Sequence, residues 1–247
     1  MRIFSKLATS VLCAASLGIF GAALATPVSF SNITASWTDI SPATGITISN
    51  NNSANPSMRW GTPATNAGQS GYDFLAAGDF SVNAPPNQQV TLGTFSHLNN
   101  PITGTSLSSA TLNVAIDIAI NGVDQGSRNF MFDFSHFETP NNANPCANGG
   151  ANGSGVNVNG CADLVTVTNN NLSEDFLVDG VLYTIAILGF KVGDDIVSTL
   201  ETIERMTNNA VLIATITVAE VPIPGALILM LSGVMGLGFA GRTKKKA

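Results

Sequence analysis

Two short segments of the 247-residue chain share the pattern Phe-Ser-His-hydrophobic-x-x-Pro. They are Phe95-Ser96-His97-Leu98-Asn99-Asn100-Pro101 and Phe134-Ser135-His136-Phe137-Glu138-Thr139-Pro140, and together they hold both histidines of the protein. Imidazole beside carboxylate is a donor set that suits several divalent ions, so His97, His136, Asp133 and Glu138 are the residues from which a shared metal or ligand site could be built. The simpler reading is two equivalent strand ends, with each imidazole hydrogen-bonding a neighbouring turn, and nothing in the spacing brings the segments together. The expectation is therefore the structural one, in which the domain folds without metal or other cofactor.

Other chemistry is thinner. Asp194-Asp195, Glu174 with Asp175 and Asp179, and Asn121 to Asp124 place hard oxygen ligands on turns, but none follows the spaced acidic pattern of a calcium loop with its closing glutamate. Solvated turn residues are expected there. No G-x-S-x-G elbow, H-E-x-x-H or phosphate-binding loop occurs, no catalytic residue can be named, and the chain is not expected to be an enzyme. Trp37, Trp60, Tyr72 and Tyr183 could stack on sugar rings, yet an aromatic content of 7% favours core and turn anchors.

The elements that would position these residues are strands. Between Thr26 and Ala219 short alternating apolar runs are punctuated by Asn, Gly, Pro and Ser, with no convincing helical period. The clearest run is Thr111 to Ile120, in which Leu112, Val114, Ile116, Ile118 and Ile120 share one face. Asn121-Gly122 supplies a tight turn into Arg128 to Phe134, and Asp179-Gly180 joins Glu174–Val178 to Val181–Phe190. Ala210 to Val218 closes the domain, and further strands are expected around Ile33–Trp37, Thr44–Ile48, Gly78–Val82 and Val90–Phe95. The pattern predicts an all-β domain, most simply a two-sheet antiparallel β-sandwich, with a barrel as the alternative. Asn141 to Gly160, rich in Asn and Gly and without an apolar face, reads as a long surface loop bracketed by Cys146 and Cys161.

The two ends read as addresses. Arg2 and Lys6, an apolar run from Val11 to Ala23, and the small-x-small site Ala23-Leu24-Ala25 form a secretory signal peptide over residues 1–25, to be cut by signal peptidase. Ile223 to Ala240 is uncharged and apolar, about 27 Å long as a helix, which matches a bilayer core. Arg242, Lys244, Lys245 and Lys246 follow as a stop-transfer cluster that stays cytoplasmic. The organisation expected is 1–25 signal peptide, 26–219 β-sandwich, and 220–247 tail with a transmembrane helix over 223–240. Export to an oxidising compartment makes a Cys146–Cys161 disulfide the expected fate of the two cysteines that remain after cleavage. From Asp39 to Glu220 the chain keeps four cations (Arg59, Arg128, Lys191 and Arg205) against all 16 acids. That balance excludes nucleic acid as a partner, because such affinity comes largely from neutralised phosphates.

The tail Val221-Pro222-Ile223-Pro224-Gly225, the glycine-bearing apolar run and the basic end resemble the PEP-CTERM sorting signal. Ile223 replaces the usual Glu between the prolines, as in the VPxP variant. The resemblance implies an exosortase-type sorting enzyme as partner and a producer of extracellular polysaccharide. A second resemblance covers most of residues 28–218. It is carried by Met58-Arg59-Trp60-Gly61-Thr62-Pro63, Ser70-Gly71-Tyr72-Asp73-Phe74, Leu92-Gly93-Thr94-Phe95-Ser96-His97, Asn99-Asn100-Pro101-Ile102 and His136-Phe137-Glu138-Thr139-Pro140-Asn141. These are similar to the choice-of-anchor K domain, which implies an extracellular domain and supplies no catalytic residues. The function expected is that of an exported cell-envelope or extracellular-matrix protein, structural or adhesive. It would be held at the inner membrane by its tail and then released to the cell surface. A carbohydrate-binding module for exopolysaccharide is the alternative.

Overall fold

The computed structural model describes residues 26–84, 87–168 and 173–220. The signal segment, the sorting motif Val221 to Gly225, the apolar run and the basic cluster Arg242 to Lys246 lie outside the described residues.

Among the described residues the chain forms strands and a single 3-10 turn at Gly155–Asn157. The strands of its first half are β1 (Thr26–Ser41), β2 (Ile46–Ser49), β3 (Ser57–Trp60), β4 (Thr62–Pro63), β5 (Ser70–Ala76), β6 (Phe80–Ala84), β7 (Gln88–Asn99) and β8 (Ile102–Thr103). Those of the second are β9 (Ser109–Ile120), β10 (Val123–Phe137), β11 (Asp163–Val167), β12 (Ser173–Val178), β13 (Val181–Val192), β14 (Asp195–Val197), β15 (Thr199–Thr202) and β16 (Met206–Glu220). Two curled antiparallel sheets carry the fold. One has the order β15-β11-β10-β9-β1-β6; the other has β12-β13-β16-β7-β5-β3-β2, with β14 beside β13.

The alternation seen in the sequence is what packs these sheets. Leu112, Val114, Ile116, Ile118 and Ile120 of β9 are all buried, each such side chain contributing about 1.5–3 kcal/mol of burial. Across the core they face Phe95 and Leu92 of β7, Tyr72 and Phe74 of β5, and Leu212, Ala214 and Ile216 of β16 in one continuous apolar cluster. The expected turns form as read: Asn121 and Gly122 have φ of 52° and 75°, and Asp179 and Gly180 have 51° and 80°, the left-handed pair of a tight hairpin.

Two irregularities decide which residues point inward. In β1 the pairing with β9 shifts between Ser31 and Thr34, so the buried set changes from Val28 and Phe30 to Ile33, Ala35 and Trp37. In β7 the register against β16 skips a residue at Leu92, and the buried set changes from Val90 and Leu92 to Phe95, His97 and Asn99. Without that bulge the period of two would turn His97 out to solvent.

Candidate functional site

Along several strands the inward face runs apolar and then turns polar at the same end of the two sheets. On β10 the series is Phe130, Phe132, Phe134, His136; on β7 it is Phe95, His97, Asn99; on β11 it is Val167, Val165, Asp163. Leu200 and Thr202 of β15, then Glu204 just beyond it, continue the pattern, and all of these side chains are buried. β10 pairs with β11, and β11 with β15, in registers that set His136 opposite Val165 and Asp163 opposite Thr202. The facing sheet brings His97 and Tyr72, which are cross-strand partners.

The hydrogen-bond network fixes the protonation of the first imidazole. The Thr202 hydroxyl donates its one proton to the Asp163 carbonyl at 3.3 Å, so at 2.9 Å it accepts from His97 Nδ1. Nε2 of His97 then carries a lone pair, and this fully buried atom has no hydrogen-bond partner among the described residues. His136 Nδ1 lies 2.6 Å from the Tyr72 hydroxyl, and its Nε2 lies 3.4 Å from Glu138 Oε2. Asp163 Oδ1 accepts the Thr139 backbone N–H at 2.8 Å, while Oδ2 is buried without a partner. One ligand atom from each of His97, His136 and Asp163 lies within 4.8 Å of the other two.

Aromatic walls close the cluster. The two imidazoles meet edge to face with centroids 5.1 Å apart, and Trp60 stacks on His97 at 5.9 Å and sits edge-on to His136 at 5.3 Å. So dry a setting penalises charge. Burial pushes Asp163 up to about 9, assisted by the charges of Glu138 and Glu204 and opposed by the Thr139 N–H. Burial likewise lifts Glu204 to about 7; Asn141 and the Arg205 charge oppose the rise and Glu138 adds to it. Tyr72 is raised well above its ordinary range by burial and then by Asp163 and Glu138. His97 is lowered by burial and by its neighbour His136.

The Asn- and Gly-rich loop expected over Asn141 to Gly160 spans the connection from β10 to β11, and its Asn159 Nδ2 donates to the Glu204 carbonyl at 3.1 Å. Its backbone is held by its own amides: Asn152 Nδ2 donates to the Asn141 and Ala143 carbonyls at 2.8 and 3.0 Å, and Asn157 Oδ1 accepts the Ala162 N–H at 2.9 Å. Cys146 and Cys161 form the expected disulfide with Cα atoms 5.3 Å apart. That bond ends two residues before Asp163 and so anchors the chain that presents it.

Of the residues singled out in sequence, His97 and His136 are brought together and Glu138 borders them. Asp133 is not among them. It stands three positions from His136 on one strand, which gives it the opposite parity, and its carboxylate accepts a hydrogen bond from Thr111 at 2.6 Å on the outer face. Asp163, Tyr72, Thr202 and Glu204 complete the cluster without having been singled out for it. Their signal was phase: each continues, at a spacing of two, a series of inward residues. Trp37, Trp60, Tyr72 and Tyr183 are core residues, and Asp124, Asp175, Asp179, Asp194 and Asp195 stand on exposed turns and strands. No family model matches the chain, and no curated protein matches it.

Proposed function

We propose that this chain is an exported cell-envelope or extracellular-matrix protein with a structural or adhesive role, delivered by its signal peptide and sorted by its tail through an exosortase-type enzyme. The observation that carries the reading is the Cys146–Cys161 bond, because such a bond persists in oxidising compartments outside the cytosol. An acidic body with four cations and two closely packed sheets suits a stable, soluble module. The polar cluster is buried and walled by Trp60, so it supports the fold better than it would serve turnover of a polymer.

Deletion of the gene tests this directly: aggregation or retention of matrix should fall in the deletion strain and return when the full-length chain is restored. An unchanged matrix would remove the proposal. A glycan array separates adhesion through protein contacts from the exopolysaccharide-binding alternative. Sugar binding would have to use surfaces other than Trp37, Trp60, Tyr72 and Tyr183, whose rings lie in the core.

A further inference from the structure

We infer that His97, His136 and Asp163 form a binding site for one divalent transition-metal ion, with zinc the ion their donors suit best. The site goes beyond the envelope role and does not depend on it. Its foundation is two of the nine buried side-chain atoms without partners among the described residues, His97 Nε2 and Asp163 Oδ2, which also belong to one group of potential ligands. Once Asp163 has given up its proton both are acceptors, so neither can satisfy the other, and a cation between them that displaces that proton satisfies both. The third donor comes from His136, completing a group whose atoms lie within 4.8 Å of one another. Zinc bonds of about 2.0–2.1 Å set tetrahedral ligand separations of about 3.3–3.4 Å, so binding requires only a modest inward closure.

Each ligand is held from behind. Thr202 fixes His97 through Nδ1, Tyr72 holds His136 through Nδ1, and the Thr139 N–H holds Asp163 through Oδ1. Outer partners of this kind orient the ligands and set their tautomers in metal sites. Two imidazoles with a carboxylate favour zinc and related ions over calcium or magnesium, which prefer all-oxygen shells. Charge points the same way. Glu138 and Glu204 both act on Asp163, and Arg205 acts on Glu204. A divalent ion offsets this convergence of carboxylates. Glu138, with 23% of its side chain exposed, links the buried donors to the surface.

The test titrates zinc into the full-length chain, purified without a histidine tag and stripped by chelator, and follows binding by calorimetry and thermal melting. One ion should bind per chain and raise the melting temperature. Asp163→Asn should weaken binding at least tenfold, yet in chelator it should melt no lower than the wild type, since it removes a buried ionisable group while keeping its shape. Asp133→Asn, on the outer face of β10, the strand that carries His136, should bind as the wild type does. Should Asp163→Asn not fold, His97→Gln carries the same comparison, with cobalt(II) as a visible-absorption probe of imidazole ligation. Absence of stoichiometric uptake by the wild type overturns the inference. So does uptake that Asp163→Asn and His97→Gln leave unchanged, since that would be diffuse binding to an acidic surface.

Discussion

A carboxyl group that ionises near 3.8 in the unfolded chain and at about 9 in the folded one holds a proton across that interval only when folded, and Asp163 is such a group. Glu204 behaves alike between 4.5 and about 7. Both folded values are raised, so their contribution to stability is fully present below the unfolded values and is lost as pH rises through the folded ones. His97, whose folded value is lowered, acts on the acid side, where the unfolded chain takes up a proton that the buried ring refuses. In chelator, urea midpoints should therefore fall steadily from about pH 5 to about pH 9. Saturating zinc should flatten or reverse that slope, because it binds the deprotonated ligands. A midpoint that is flat in chelator would show that these groups ionise as they do in water. Tyr72→Phe tests the partner behind His136: losing the hydroxyl leaves Nδ1 buried without its bond, at a cost of about 1–3 kcal/mol on the two-state unfolding curve.

At the scale of elements, the disulfide and the hairpins make separate predictions. Replacing Cys146 and Cys161 together by Ser opens a 15-residue loop and should cost about 3 kcal/mol. It should also raise hydrogen exchange around Asp163, because the bond anchors the strand that begins there. Ile116→Ala, in the centre of β9, should cost about 2–5 kcal/mol through the cavity it leaves. β9 was legible in sequence because one uninterrupted alternation spells its face, and its hairpin because Asn121-Gly122 takes the required backbone. β11 and β15 were not, since runs as short as Asp163–Val167 and Thr199–Thr202 carry too few alternations to stand above their loops. Asp163 was hidden for the same reason. The bulge in β7 hid a second fact: parity counted from Val90 places His97 outside, and only the extra residue at Leu92 brings it in. The meeting of the two Phe-Ser-His segments depends on two sheets closing face to face, a long-range event that no local spacing encodes.

For the whole molecule, the proposed route makes the tail a sorting element that is removed. Pro222, Pro224 and Gly225 would keep the entry to the apolar run extended and open to a protease or transpeptidase. Intact-mass analysis of native protein should find the cluster from Arg242 to Ala247 missing, and neutral residues in its place should disturb orientation and sorting. Recovery of only full-length, detergent-requiring protein from cells with a working exosortase would make the tail a plain anchor. Within the folded body, the placement of Trp60 has an optical consequence. The protein has two tryptophans, and one of them lies within 6 Å of both imidazoles, stacked on His97 at 5.9 Å and edge-on to His136 at 5.3 Å. An imidazolium ring quenches a neighbouring indole, whereas a neutral or zinc-bound ring does so far less. Emission from Trp60 therefore reports the state of the two histidines from inside the core, and Trp60→Phe isolates the steady signal of Trp37 as its reference.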